Sequence, residues 1–508
     1  MKRFLPAIVL VSSLATLTGC VAQKQWRTQP FYSGPAATNP PAKNVEDRFV
    51  IPLDPSASQN RFYSMAFVEF KNDGNLWNPR QLEEAKKAID EADRNSNHRA
   101  LVVTFIHGWK NNARSDNNNV HDFREQMNHI AWKYCRVDPK QCGVVGIYVA
   151  WSGDLVSRSF NTVRTGTYAN RRNTAADVAL HVASSKESAA KAASSPLGLA
   201  LRDIMKQVKE GPGRESNHSV VVGHSFGGLI LEYAIQNQME QIGRELHDEL
   251  GKNQSAEIPK TPALANFADL VVLINQAAPA DHAIQILSQY REDLQNVRLR
   301  WPPKKQGCPA SDTSPDCVGM SHPLLLSISS ESDLATRAVL PIAETVFPPK
   351  DRPRVLPAKV LADLPAGLDV KKVFTTAAAH TPQLYSHDLR RCDKEDCAPC
   401  DRKDNGDDLP VSIMLPKYAP GNTDPDHKDQ QIDYCLIPAA QASPAGKKPW
   451  NQTPYWIFHI PSEVVPDHGT IFTDRFRDFL AAFMPPPEAF LQATPPPVRG
   501  VYRVSAGQ

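Results

Sequence analysis

The run Ser219-Val220-Val221-Val222-Gly223-His224-Ser225-Phe226-Gly227-Gly228 holds the residues best suited to chemistry in this chain. A β-branched segment leads into Gly-x-Ser-x-Gly, and Leu229, Ile230, Leu231, Tyr233 and Ala234 then read as the start of a buried helix. That order predicts strand, sharp turn, helix. Such a turn lifts the Ser225 hydroxyl to a helix N-terminus, where the first backbone N–H groups are unpaired and the macrodipole is positive. Negative charge developing beside a nucleophilic oxygen is stabilised in that environment. A serine hydroxyl also needs a base, a group to orient the base, and donors for the oxyanion. The chemistry this describes is acyl transfer.

Those partners must be held by other elements. Apolar runs bounded by turns recur at Ala100–Ile106, Gly143–Ala150, Ser219–Val222, Asp269–Asn275, Leu324–Ser330 and Tyr455–Ile460, with an earlier one at Arg61–Phe70. They are continuous rather than alternating, as expected of strands buried on both faces of a parallel sheet. Helical patterns fall between them at Pro79–Asp93, Val120–Tyr134, Thr174–Val208 and Thr473–Phe483, the last with Thr473 as N-cap. Alternating strands and helices predict an α/β fold with a mostly parallel, doubly wound sheet. Three stretches fit that core poorly: about 291–320, 341–365 and 390–450. They read as loop or lid insertions into a domain spanning 59–485, followed by a Pro-rich tail over 486–508.

The chain opens on basic Lys2 and Arg3, a mostly apolar stretch from Phe4 to Leu17, and Leu17-Thr18-Gly19-Cys20. The apolar run is short of the ~20 residues a spanning helix needs. It resembles a bacterial lipoprotein signal over residues 1–19, which implies lipidation of Cys20 and an address in the cell envelope outside the cytoplasm. Val21, rather than aspartate, follows Cys20, which favours the outer membrane facing the periplasm. Residues 20–58 read as a Pro-rich tether. The formal charge of +2 falls to about zero once Lys2 and Arg3 are removed, and no basic stripe with interleaved aromatics occurs, so nucleic acid is not an expected partner. Eight cysteines besides Cys20 suit disulfides in an exported chain: Cys135 with Cys142, Cys308 with Cys317, and pairs among Cys392, Cys397, Cys400 and Cys435. The last four have spacing that zinc could also use.

The Ser225 turn, together with Thr104-Phe105-Ile106-His107-Gly108-Trp109 at the end of an earlier strand, resembles the nucleophile elbow and oxyanion loop of α/β-hydrolase-fold serine esterases and lipases of the exported bacterial type. The likeness covers roughly residues 60–485. It implies that the backbone N–H groups of Trp109 and Phe226 bind the oxyanion, with His107 shaping its loop. It implies an acid after the strand ending at Ser330, which points to Asp333, with Glu331 and Asp281 as alternatives. It implies a base between the last strand and the last helix, which points to His468 in Pro466-Asp467-His468-Gly469, with His459 inside the strand as the alternative. His380 and His387 are less well placed but could line the cleft. The expected function is hydrolysis of carboxylic esters through an acyl-enzyme on Ser225, on a small-molecule or lipid substrate. Lipase or phospholipase action on envelope lipids, or a non-catalytic binding protein of the same fold, are the alternatives. No cofactor is called for; neither a His-Glu-x-x-His motif nor a phosphate-cradling loop occurs.

Overall fold

A computed structural model describes residues 25–28, 50–51, 63–71, 73–109, 111–135, 143–151, 189, 196–252, 268–295, 323–346, 354–362, 364–392, 411–416, 431–439, 453–484 and 501–502. In chain order the main elements are β1 (Val50–Ile51), β2 (Tyr63–Phe70), α1 (Pro79–Asn95), β3 (Leu101–Ile106), α2 (Asn118–Cys135), β4 (Val144–Trp151), α3 (Pro196–Lys209), β5 (His218–His224), α4 (Phe226–Lys252), β6 (Leu270–Ile274), α5 (Ala280–Gln295) and β7 (Leu325–Ser330). They continue with α6 (Leu340–Val346), β8 (His387–Cys392), β9 (Val411–Pro416), β10 (Gln431–Pro438), β11 (Tyr455–Ile460), α7 (Asp474–Phe483) and β12 (Val501–Tyr502).

Eight strands form one sheet in the order β1-β2-β4-β3-β5-β6-β7-β11. Only β1 runs antiparallel to its neighbour, leaving seven parallel strands with all their carboxyl ends at one edge. The fold is α/β. Successive side chains of each strand enter opposite cores, which explains the unbroken apolar runs. On one face Val102, Ile106 and Val221 pack with Leu82, Leu197, Leu229 and Ile284 from α1, α3, α4 and α5. On the other, Leu101, Val103 and Phe105 pack with Phe123 and Met127 of α2 and Phe476 and Phe479 of α7. Thr473 caps α7 as its spacing predicts: its hydroxyl accepts the Phe476 N–H at 3.0 Å. Within the Thr174–Val208 stretch the structure describes α3 and residue 189; the remainder lies outside the described residues.

The segments read as loops differ most from expectation. Part of 390–450 forms a second sheet, ordered β12-β9-β10-β8, with β8, β9 and β10 antiparallel. Tyr434 and Leu436 of β10 are buried in the same core as α7, which is why a segment acidic in overall composition still folds. Val501–Tyr502 in the tail adds a short parallel strand to β9. In 341–365, Ala343 of α6, Leu356, and Val360 of the single helical turn Ala358–Leu361 are buried in the main core. Of 291–320, Arg291 lies in α5 and is buried; residues 296–320 lie outside the described residues.

Residues 20–58, expected to form a tether, include segments that make specific contacts with the main sheet. Val50 and Ile51 pair with Ala66 and Met65 of β2. Further upstream, the N–H groups of Trp26 and Arg27 donate to the two carboxylate oxygens of Glu69 at 2.8 and 2.7 Å. Arg27 Nε donates to the Ala113 carbonyl at 2.7 Å, and its guanidinium lies 3.8 Å from the Phe67 ring centre. Among the described residues, no helix is long and apolar enough to cross a membrane.

Candidate active site

The Gly-x-Ser-x-Gly turn joins β5 to α4 at the carboxyl edge of the sheet. Ser225 adopts φ +55°, a left-handed conformation that is uncommon outside glycine. Tertiary hydrogen bonds hold it there: the Ser225 N–H donates to Ile274 O at 3.0 Å, and the Ser225 carbonyl accepts the Ala277 N–H at 3.0 Å. The flanking glycines are required by close approach. A Cβ on Gly227 would stand 2.2 Å from Ile106 O, and one on Gly223 2.8 Å from Gly227 O. Helix α4 therefore begins hard against β3. Phe226 is its first residue, so the Phe226 N–H has no carbonyl one turn behind it within the helix.

The loop after β3 comes equally close. A Cβ on Gly108 would lie 2.8 Å from Ser225 Cβ, which brings the His107-Gly108-Trp109 turn directly against the serine. His107 is buried, and burial lowers its pKa to about 4, so it is neutral near pH 7. Its Nδ1–H donates to Gly108 O at 2.7 Å, and Nε2 accepts the Trp151 N–H at 3.2 Å. Trp151 Nε1 donates back to His107 O at 2.7 Å. The ring is fixed within the loop and serves its shape.

His468 lies in the loop between β11 and α7. Its Nε2 is 2.8 Å from Ser225 Oγ, and its Nδ1 is 2.9 Å from Asp333 Oδ1. With Asp333 ionised, Nδ1 carries the proton and donates, leaving Nε2 to accept the serine O–H. Asp333 is fully buried just beyond β7. Its Oδ1 accepts the N–H groups of Ala335 and Thr336 at 2.9 and 3.1 Å, and its Oδ2 accepts the Thr336 hydroxyl. Burial alone would raise the Asp333 pKa, but the hydrogen bonds from His468 and Thr336 outweigh it and hold the carboxyl below its usual value. The chain after Asp333 makes a π-helical turn over Ala335–Val339, which aims both Thr336 donors at the carboxylate.

Other side chains position the His468 loop. Asn275, at φ +47°, donates its amide to Asp467 O at 3.1 Å and His468 O at 3.2 Å, while its Oδ1 accepts the Ser330 N–H at 2.8 Å. His224 Nε2–H donates to His468 O at 2.7 Å. Burial, with a lesser contribution from nearby His468, lowers the His224 pKa to about 3. Asp467 folds the loop locally by accepting the N–H groups of Gly469 and Thr470 at 2.7 and 2.8 Å.

Ser225, His468 and Asp333 are thus brought together, with Phe226 and Trp109 beside the serine. Among the described residues, the carboxylate that meets His468 is that of Asp333. Glu331 is exposed two residues earlier, and Asp281 is buried in the first turn of α5. His459, still within β11, faces His380 and Tyr385 instead of Ser225. His387 is buried against Trp456, with ring centres 4.1 Å apart, so it does not line a cleft. The sequence reading missed Asn275, His224 and Thr336. The one available signal was a polar Asn275 closing the apolar run Leu270–Ile274.

Cys20 lies outside the described residues, and of the eight other cysteines only the side chains of Cys135 and Cys435 are described, both buried. Among the described residues, no group of three or more His, Cys, Asp or Glu side chains could hold a metal ion. Comparison with family models, curated proteins and solved structures found no match.

Proposed function

We propose that this chain is an α/β-hydrolase-fold serine hydrolase that cleaves carboxylic esters. The observation that carries the reading is the continuous hydrogen-bonded path from Ser225 Oγ through His468 to Asp333, built on a left-handed turn at a helix N-terminus. In this reading Ser225 Oγ attacks the ester carbonyl while His468 Nε2 takes its proton. Asp333 keeps the imidazole in the required tautomer and stabilises its cation. The N–H groups of Phe226 and Trp109 receive the oxyanion, and His468 then gives its proton to the leaving alkoxide. Water enters by the same route and releases the acid.

The same proposal includes export on a lipid at Cys20, with disulfides among the remaining cysteines. Labelling with a serine-directed fluorophosphonate tests the enzyme. Labelling that disappears in Ser225→Ala, together with turnover of p-nitrophenyl esters, is the expected result. Folded full-length protein that neither labels nor turns over any ester refutes it and favours the non-catalytic alternative. Ester chains of graded length separate a short-chain esterase from a lipase. Incorporation of labelled palmitate that is lost in Cys20→Ser tests the anchor.

A further inference from the structure

Beyond Asp333 the hydrogen-bonded path does not stop. Thr336 Oγ1, bonded to Asp333 Oδ2, is also 2.8 Å from His380 Nε2. His380 Nδ1 is 3.0 Å from His459 Nε2, and His459 Nε2 is 2.8 Å from the Tyr385 hydroxyl. The Tyr385 hydroxyl is 3.0 Å from Ala379 O, to which it donates. Residues from four separate segments form this path: the turn after β7, the 378–380 turn, the stretch before β8, and β11.

We propose that Thr336 and His380 are positioning residues for the Asp333–His468 pair, with His459 fixing the tautomer in which His380 acts. The inference rests on the hydrolase reading of Ser225. Its basis is the direction of each proton. Ionised Asp333 can only accept, so the single Thr336 hydroxyl proton points at Oδ2. The Thr336 oxygen then accepts, which requires the proton of His380 to be on Nε2. His380 Nδ1 is left as an acceptor and takes the His459 Nε2–H, which also faces the Tyr385 oxygen. Each hydrogen bond from His459 to Asp333 is then made with both imidazoles neutral. Every donor between His459 and Asp333 then points toward the carboxylate.

The surroundings favour that neutral state. Burial, then the neighbouring His459, lowers the His380 pKa to about 4, and burial also lowers that of His459. The charged groups around the pair are Arg337, which opposes a further positive charge, and Asp333, which favours one; His468 also bears on His380, and Glu331 and Asp388 on Tyr385. A proton added to His380 Nδ1 would confront the His459 N–H head-on. The relay therefore keeps the Thr336 hydroxyl turned to Oδ2, and the carboxylate turned so that Oδ1 meets His468.

The test is the rate at which a small fluorophosphonate modifies Ser225 in the full-length chain, with melting temperature followed in parallel. Thr336→Val is expected to slow modification about 10- to 100-fold, the range of a lost hydrogen bond to a charged group, and His380→Ala about 3- to 10-fold, the range of a lost hydrogen bond between neutral groups. Thr336→Ser and His380→Gln each keep a donor and are expected to restore the rate to within about threefold of the parent. The double variant Thr336→Val/His380→Ala is expected to be no slower than Thr336→Val alone, because His380 acts only through Thr336. Modification at the parent rate in folded His380→Ala overturns the proposal, as do fully additive losses or failure of both conservative variants to restore the rate. His380 is only partly buried, so its variants decide the matter should Thr336→Val not fold. A parent protein that is never modified refutes the hydrolase reading itself, and that outcome is visible before any variant is made.

Discussion

His224 donates from Nε2 to the backbone carbonyl of His468 at 2.7 Å. The residue immediately before the serine thus holds the main chain of the residue whose ring faces that serine. Asn275, just past the end of β6, grips the same carbonyl at 3.2 Å. Both hydrogen bonds are made while the imidazole of His468 remains free to accept the Ser225 proton.

Asn275→Asp is nearly isosteric but turns two donors into an acceptor facing the carbonyls of Asp467 and His468. It is expected to lower kcat for ester hydrolysis by about 100-fold, more than Asn275→Ala, because it adds repulsion to the lost hydrogen bonds. Steady-state kinetics on a p-nitrophenyl ester separates the two. Equal kcat for the parent and Asn275→Asp would show that the loop holds itself.

Asp333→Asn preserves the shape of the acid but can present an N–H to His468 and so favour the wrong tautomer. A loss of roughly 10³- to 10⁴-fold in kcat is expected, with little change in KM. Glu331→Gln, two residues away and exposed, is expected to stay within about twofold of the parent. The opposite ranking would transfer the orienting role to Glu331.

Acid should unfold the protein early. His107, His224 and His387 are buried, and their pKa values are lowered by that burial to about 4, about 3 and about 3. Below the ordinary histidine value of 6.5 the unfolded chain binds protons that the folded chain refuses. Stability is therefore full above that pH and falls as pH drops toward the folded values, by about 1.4 kcal/mol per unit for each group inside its window. Melting temperatures measured from pH 7 to pH 4 should decline steadily. A flat profile would mean that these rings are protonated in the folded state.

Gly227→Ala places a methyl 2.2 Å from Ile106 O, a contact that only backbone movement can relieve. Destabilisation of about 1–3 kcal/mol or more is expected in urea titration, with activity lost as α4 is pushed off β3. Gly469→Ala meets nothing nearer than 3.7 Å and should be close to neutral.

Local order made part of this site readable from sequence. Ser225 is flanked by a β-branched run and a helix start, and Asp333 and His468 each follow an apolar run, so strand ends alone suggested their places. His224, Asn275 and His380 left little such trace, because each acts through a partner 44 to 244 residues distant, and Thr336, only three residues past Asp333, belongs to no hydrophobic pattern that would mark it. The second sheet was hidden for a different reason. Asp388, Arg390, Arg391 and Asp433 interrupt β8 and β10, so their apolar positions make no continuous run. The burial that stabilises Tyr434 and Leu436 comes from a core built mainly by other segments.

The Trp26–Arg27 contact has a mechanical consequence. Glu69 is the penultimate residue of β2, so the chain upstream enters the molecule at the same edge of the sheet from which Ser225 rises. Arg27 also clips to Ala113, four residues beyond Trp109 in the turn that abuts the serine. A pull on the chain ahead of Gln25 is borne first by this latch, at the reactive end.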